Sequence, residues 1–337
     1  MYKISLITGD GIGPELSESA VSVLTTIHDK LDVKFEIVQL LAGDIALKQT
    51  GMPLPEETLD SIKKSDVCLK APVGESAADV IVVLRRVLDL YANIRPAKSY
   101  PNMPALRDDI DMVIVRENTE DLYTGKEFNL GNASVALRII SEKASKRIAK
   151  FAFETAKQRN HQKKVTCVHK SNVMRITDGM FSKACSDIAS EYPEISFEQM
   201  YVDACAMNLI RQPQNFDVIV TTNLFGDILS DESSQVVGGL GMAPAANIGD
   251  NFALFEPVHG AAFDIAGKNI ANPSSFLLSI KMMLDWLGGK HKDPKCLEVG
   301  KKLESVIFDL VKVGITTKDI GGEKTTTEFT QEITARL

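Results

Sequence analysis

The sequence predicts an α/β protein of two lobes, because strands and helices alternate along most of the chain. Short β-branched runs, such as residues 218–222, predict buried strands, and segments of helical periodicity follow many of them. Several predicted strands also end in charged residues. This indicates a ligand site, since ligands of open α/β sheets bind beyond strand ends. The first turn has the spacing G-x-G-x-G from Gly9 to Gly13 and is followed by Pro14, which argues against a Rossmann dinucleotide fold.

In chain order, strands are predicted at residues 4–8, 33–41, 67–69, 111–115, 135–140, 164–168, 196–202 and 218–222. Helices are predicted from apolar spacing at 14–27, 55–63, 77–90, 141–159, 176–191, 274–287 and 297–313. Pro96 disfavours helix at Arg95, so this guanidinium is expected in extended chain. Pro101 and Pro104 mark a crossing into a second lobe, and residues 255–273 are expected to be rich in loops.

Composition bounds the class of protein. The chain has 337 residues and a net charge of −7, which argues against a nucleic-acid binder because such proteins need a basic face. No apolar run reaches the length of a membrane span, and the N-terminus predicts a strand rather than a signal peptide. The five cysteines are odd in number and scattered. They fit reduced thiols and a cytoplasmic location better than a disulfide framework or a zinc site.

Two carboxylates follow the strand at residues 218–222. Asp227 and Asp231 are four residues apart, so a helix starting there would place both on one face. Like charges held that close repel unless a cation lies between them, and Mg²⁺ or Mn²⁺ takes such oxygen ligands. The alternative is a first helical turn whose acids merely complement the helix dipole.

Other polar residues end predicted elements in the same way. Arg95, Arg116, Lys170 and Asp203 are the clearest cases. Arginine presents a planar fork that suits carboxylates, and lysine is a candidate for proton transfer. Each residue alone has the alternative of a surface ion pair. Together they predict a small anionic substrate bound on a metal.

Motifs along the whole chain resemble the β-decarboxylating dehydrogenase family, which includes isopropylmalate, isocitrate and homoisocitrate dehydrogenases. They are GDGIGPE at 9–15, the pair Arg85 and Arg95, RENTE at 116–120, HKSN at 169–172, NLFGDILSD at 223–231 and FEPVHG at 255–260. The resemblance implies the isopropylmalate dehydrogenase-like fold, two-lobed with a mixed twisted sheet flanked by helices. Residues 1–98 and 239–337 would form a large cofactor-binding lobe. Residues 99–238 would form a small lobe for dimerisation and catalysis.

The resemblance also implies roles for individual residues. The substrate carboxylates would be bound by Arg85, Arg95 and Arg116, and the metal by Asp227, Asp231 and the partner's Asp203. Lys170, also supplied by the partner, would be the general base, and Tyr123 would protonate the enolate after CO₂ leaves. The cofactor would be bound by Asn172, Glu256, His259, Gly260, Asp264, Ile265 and Asn272. A homodimer with shared active sites follows, alone or within a tetramer.

Asp264 bears on the choice between NAD and NADP, and the residues before Arg85 bear on the choice of substrate. A carboxylate at Asp264 accepts from a ribose 2′-hydroxyl and repels a 2′-phosphate, which favours NAD. Phe263 departs from the family's usual proline at that position. Ile81 and Val82 share a helix face with Arg85 and favour an alkyl group, hence 3-isopropylmalate and leucine biosynthesis, unless both simply pack the core.

Alternatives remain at this stage. Methylmalate or another alkylmalate would also suit an apolar surface. Isocitrate is less favoured, because Asp79 and Ile81 stand where isocitrate enzymes usually have serine and asparagine. Homoisocitrate stays an alternative substrate, because the side chain of Arg86 is long enough to reach a longer acid. A non-catalytic regulatory subunit is the alternative from another class, although it would predict broken motifs and every catalytic position here is filled.

Overall fold

A mixed ten-stranded sheet forms the centre of the computed structural model, which describes residues 1–337. The strands in chain order are β1 (Tyr2–Ile7), β2 (Phe35–Leu40), β3 (Val67–Lys70), β4 (Ala92–Lys98), β5 (Asp111–Glu117), β6 (Glu127–Asn129), β7 (Ser134–Ala136), β8 (Lys164–His169), β9 (Ser196–Tyr201), β10 (Val218–Thr221), β11 (Pro244–Ile248) and β12 (Ala253–Pro257). The order across the sheet is β2-β1-β3-β12-β11-β4-β5-β10-β8-β9, and β6 pairs only with β7 in a separate hairpin.

Two parallel blocks of strands are joined through antiparallel strands in the middle of this sheet. One block is β2, β1, β3 and β12, and the other is β5, β10, β8 and β9. Between them, β11 and β4 run antiparallel to all their neighbours. β11 pairs with β4 only at residues 92–94, so Pro96 lies where β4 has a single neighbour and its missing N–H costs no hydrogen bond to β11.

Helices cover the sheet. They are α1 (Gly13–Lys30), α2 (Asp44–Thr50), α3 (Glu56–Lys63), α4 (Ala77–Val87), α5 (Glu142–Arg159), α6 (Thr177–Ala189), α7 (Val202–Arg211), α8 (Asn223–Val236), α9 (Ser274–His291), α10 (Pro294–Lys312) and α11 (Thr326–Arg336). The α/β class and the mixed sheet flanked by helices, predicted from the sequence, are confirmed. No helix combines the length and the apolar character that spanning a membrane requires.

Several local predictions were wrong or incomplete. Residues 255–273 were expected to be rich in loops, which holds for residues 258–273, but residues 255–257 belong to β12, which is buried between β3 and β11. The strand predicted at 135–140 is only the short β7 of the exposed hairpin. Helices α2, α7 and α11 were not predicted, because each is short and interrupts its apolar spacing with polar residues.

The main hydrophobic core contains 54 buried residues and includes side chains from both predicted lobes, such as Leu24, Phe153 and Leu303. Because one sheet and one core run through both halves, the lobe boundaries at 98/99 and 238/239 stay a prediction. All five cysteines are buried and free of disulfides.

Candidate active site

Polar residues cover one face of the middle of the sheet, where β4, β5, β11 and β12 meet. Asn93 and Arg95 are two residues apart on β4, so their side chains point to the same face. Arg116 and Asn247 are the strand neighbours of Asn93 on either side. The sequence placed Arg95 at the end of a strand, but it lies in the interior of β4. The site is therefore built on the face of the sheet as well as at its edge.

A cavity of about 270 Å³ opens above this face. The predicted site residues that line it are Ile81, Val82, Arg85, Arg95, Arg116, Tyr123, Asp227, Glu256, His259 and Gly260. Other predicted site residues lie outside its walls, namely Lys170, Asn172, Asp203, Asp231, Asp264, Ile265 and Asn272.

Three buried arginines give the cavity a positive floor. Burial and the charge of Arg116 lower the pKa of Arg85 to about 10, against the attraction of Glu256. Burial and Arg116 also lower the pKa of Arg95. Each guanidinium is fixed through its Nε by an asparagine side-chain oxygen, in the pairs Arg85–Asn247 at 3.0 Å, Arg95–Asn93 at 2.8 Å and Arg116–Asn223 at 2.9 Å. An anionic ligand would relieve the mutual repulsion that adds to the effect of burial on these two pKa values.

Asn247 holds this arrangement together and was not identified from the sequence. Its Oδ1 accepts hydrogen bonds from Arg85 Nε, from Asn93 Nδ2 at 3.0 Å and from Asn118 Nδ2 at 2.9 Å. Its Nδ2 donates to Glu256 Oε1 at 2.8 Å. Asn247 is fully buried, so all four bonds are shielded from water. The isolated asparagine in a short strand gave no sequence signal of this role.

Lys70 also lines the cavity and was missed. Its Nζ donates to Glu256 Oε2 at 2.7 Å, and Arg85 Nη2 lies 3.7 Å from Glu256 Oε1. Although burial opposes it, Lys70 and Arg85 lower the pKa of Glu256 to about 2. Because the single charge of Glu256 is shared between Lys70 and Arg85, these two residues and the other two arginines together keep a net positive charge.

Asp227 connects a metal-ligand candidate to the candidate acid. It accepts hydrogen bonds from Arg116 Nη1 and from the hydroxyl of Tyr123. Burial and this bond to Asp227 raise the pKa of Tyr123. Despite burial, Arg116 and Tyr123 lower the pKa of Asp227.

Asp231 lies one turn further along α8, as the spacing predicted, and its Oδ1 is 3.6 Å from Arg95 Nη1. Burial raises the pKa of Asp231, and the neighbouring charge of Asp227 adds to this rise. A cation beside the two carboxylates would offset both effects. The donor set of the pair therefore suits a hard divalent ion.

Lys170 and Asp203 lie outside the cavity and form an ion pair with each other. Lys170 follows β8, and Asp203 lies in the first turn of α7 rather than at a strand end. No group of three acidic, histidine or cysteine side chains in the chain is arranged to hold a metal. One chain alone thus supplies Asp227 to the cavity wall, with Asp231 one turn further along α8 and Asp203 at a distance from both.

The predicted cofactor residues extend from the cavity along the chain. Burial lowers the pKa of His259, which keeps its imidazole neutral. Asp264 and Asn172 are exposed, whereas Asn272 is buried and donates to Asp319 Oδ2 at 3.0 Å. Phe263, in place of the family's proline, is 58% exposed, and its ring tip lies beside Gly74.

Arg86 does not line the cavity that its neighbour Arg85 lines. Its Nη2 donates to the backbone oxygen of Tyr123 at 2.7 Å. Ile81 and Val82 are both half-buried and line the cavity wall, and Ile81 also packs against a buried cluster that includes Val80, Leu84 and Leu254.

Comparisons with known proteins match the chain over its full length. The sequence profile of the isocitrate/isopropylmalate dehydrogenase family matches residues 3–333. A 3-isopropylmalate dehydrogenase of Saccharolobus solfataricus is 50% identical, over 98% of each chain. A homoisocitrate dehydrogenase of Methanocaldococcus jannaschii is 44% identical, over 99% of this chain and 97% of its own. The crystal structure of isocitrate dehydrogenase from Methylococcus capsulatus is similar with a TM-score of 0.93 and 40% identity, covering 100% of this chain and 99% of that one.

Proposed function

Because the chain belongs to the isocitrate/isopropylmalate dehydrogenase family, we propose that it oxidises and decarboxylates 3-isopropylmalate with NAD and a divalent metal. The product would be 4-methyl-2-oxopentanoate, which places the reaction in leucine biosynthesis. The observation that carries the choice of substrate is the wall of the cavity beside the arginines. Ile81 and Val82 form part of it, and they offer no partner to a further carboxylate.

The charged groups near this wall support the same choice. Arg86, the residue that kept homoisocitrate open, is hydrogen-bonded to the Tyr123 backbone instead. Lys70 is paired with Glu256, so its charge is partly compensated. An alkyl group of the substrate would remove apolar surface from water, whereas the distal carboxylate of a tricarboxylic acid would lose its hydration without a partner.

The proposed chemistry assigns a task to each side chain. The three arginines bind the two carboxylates and hold the substrate in one orientation. Lys170 of the partner subunit accepts the proton of the 2-hydroxyl. Tyr123, whose hydroxyl lies at the cavity beside Asp227, donates a proton to the carbon from which CO₂ departs. A divalent ion held by Asp227, Asp231 and the partner's Asp203 would supply Lewis-acid polarisation, and NAD held beside His259 and Gly260 would supply the hydride acceptor.

NAD is the proposed cofactor because Asp264 is a carboxylate on the exposed segment beyond Gly260. A carboxylate accepts from a ribose 2′-hydroxyl and repels the 2′-phosphate of NADP. His259 and Gly260 line the cavity, which brings this segment next to the proposed substrate site. The roles of Asn172, Glu256, Ile265 and Asn272 in cofactor binding remain part of the proposal.

A homodimer with shared sites is proposed from the surface of the predicted small lobe. Large apolar side chains are exposed there on the β6–β7 hairpin, around α6 and on α7 and α8, namely Phe128, Leu130, Val135, Leu137, Val173, Ile176, Met207, Ile210 and Ile228. Such a concentration of exposed apolar residues suits a protein–protein interface. Lys170 and Asp203 lie in the same region of the chain, which supports their use by a partner's cavity. Cytoplasmic location is proposed from the five reduced, buried cysteines.

The test is NAD reduction by the purified protein with Mg²⁺ and one acid at a time: 3-isopropylmalate, isocitrate and homoisocitrate. We expect the highest kcat/KM for 3-isopropylmalate and loss of activity with EDTA that Mg²⁺ or Mn²⁺ restores. A preference for a tricarboxylic acid would overturn the substrate assignment. Absence of activity with all three acids would favour a non-catalytic subunit.

A further inference from the structure

Asp10 makes a buried connection that the proposed catalytic roles do not use. It lies in the glycine turn between β1 and α1 and is 1% exposed. Its carboxylate accepts three backbone N–H groups, from Asp44 at 2.8 Å, Ile45 at 3.0 Å and Gly74 at 3.0 Å. Hydrogen bonds to a buried carboxylate are among the stronger ones in proteins. Asp10 therefore fixes the start of α2 and the loop that leads into α4.

A second carboxylate carries this connection to the helix that lines the cavity. Asp44 accepts from Glu75 N at 3.0 Å, from Ser76 N at 2.9 Å and from Ser76 Oγ at 2.6 Å. Ser76 directly precedes α4, which carries Ile81, Val82 and Arg85 on the cavity wall. The position of the substrate helix is thus linked to Asp10 through two successive carboxylates.

The same turn touches the proposed cofactor segment on its other side. Ile12 N donates to the backbone oxygen of Ala261 at 2.8 Å. A Cβ at Gly11 would lie 2.0 Å from that oxygen, and Gly11 has a φ of 57°, so only glycine permits the approach. Ala261 directly follows His259 and Gly260 of the cavity wall. The turn at residues 9–13 therefore contacts the supports of both ligands.

We propose that Asp10 is a positioning residue that couples the segment at residues 259–265 to α4, so that dinucleotide and acid bind cooperatively. The inference rests on the proposed function, because that function assigns the two ligands to these two elements. Asp10 touches neither ligand and acts through the backbone groups that it holds. Its removal leaves the side chains of the arginines and Tyr123 unaltered but lets α4 and the segment at residues 259–265 shift independently.

The experiment measures NADH binding by fluorescence, with and without the acid and Mg²⁺, a combination that does not turn over. In the variant Asp10→Asn, one oxygen is replaced by a donor that faces backbone N–H groups. We expect the dissociation constant of NADH and the KM of the acid each to rise about tenfold, with kcat changed less than about twofold. The factor by which acid tightens NADH binding should fall towards one.

Two further variants separate coupling from loss of stability. Asp293→Asn replaces another hydrogen-bonded carboxylate of the same predicted lobe; Asp293 caps α10 and accepts a hydrogen bond from the Tyr2 hydroxyl at 2.8 Å. This variant should lower the Tm without changing ligand binding. Ser76→Ala removes the Oγ bond to Asp44 and so weakens only the branch towards α4; it should raise the KM of the acid and leave NADH binding unchanged. Unchanged constants in a folded Asp10→Asn would overturn the proposal.

If Asp10→Asn does not fold, an unchanged KM in Ser76→Ala overturns the proposal instead. Failure of the proposed function is recognised separately, because the wild type would then oxidise none of the acids. In that case NADH affinity alone decides: weaker binding by Asp10→Asn but not by Asp293→Asn supports the connection to the cofactor segment, and equal binding refutes it.

Discussion

Two inactive variants should restore each other's activity if Lys170 works in the partner's cavity. Tyr123 lines the cavity of its own chain, whereas Lys170 lies outside it, paired with Asp203. In a dimer of one Lys170→Ala chain and one Tyr123→Phe chain, one site receives the intact Tyr123 and the partner's intact Lys170. The other site receives both substitutions. Each mixed dimer therefore has one complete site.

The expected recovery follows from counting sites. Equal amounts of the two variants, dissociated in urea and reassembled at random, give about half mixed dimers, so about a quarter of the wild-type rate should return. The assay is NAD reduction with saturating acid and Mg²⁺, compared with each variant reassembled alone. Both variants alone should retain less than about one hundredth of the rate, since general acid–base groups contribute 10²–10⁴-fold.

The wild type mixed with the double variant Lys170→Ala/Tyr123→Phe is the matched control. Its mixed dimers contain no complete site under the shared arrangement, but one complete site if Lys170 acts in its own chain. Failure of the two single variants to restore activity, together with about half of the wild-type rate in this control rather than about a quarter, would refute the shared site.

Three other perturbations test particular residues. Against the effect of burial, the ion pairs of Glu256 lower its pKa from 4.5 to about 2. These pairs therefore contribute their full stability above about pH 4.5, and the contribution is lost as the pH falls towards 2. In urea unfolding, the wild type should lose more stability than Glu256→Gln between about pH 6 and pH 3. Asp264→Lys should raise the KM of NAD and improve that of NADP, each by about tenfold in steady-state assays, and an unchanged preference would remove Asp264 from the ribose site. Ile81→Ser should lower kcat/KM for 3-isopropylmalate by about tenfold relative to malate, whereas an equal loss for both acids would place Ile81 in the core instead.

The sequence predicted the parts of the site that are contiguous or regularly spaced. Asp227 and Asp231 do lie one turn apart on α8, and Arg95 does lie in extended chain before Pro96. Ile81, Val82 and Arg85 share the cavity wall because helical spacing fixes their common face. These predictions needed only local geometry.

The parts that were missed depend on contacts between distant segments. Lys70 and Glu256 are 186 residues apart, and their pairing arises only because β3 and β12 are neighbours in the sheet. Asn247 lies in a five-residue strand, and its role depends on the hydrogen bonds that its side chain accepts from three donors in other elements. Such contacts depend on the order of the strands in the sheet, and the spacing of residues within one segment does not reveal that order.

The hydrogen bond from Arg85 to Asn247 separates the binding of carboxylates from the choice of the substrate's side group. Arg85 is fixed by an amide on the sheet, while Ile81 and Val82, one turn before it on the same helix, make no side-chain hydrogen bond at all. Exchange of these two side chains therefore leaves the carboxylate-binding groups where they are. Substitutions at Ile81 and Val82 can thus adapt the cavity to another acid while the groups that bind the carboxylates stay the same.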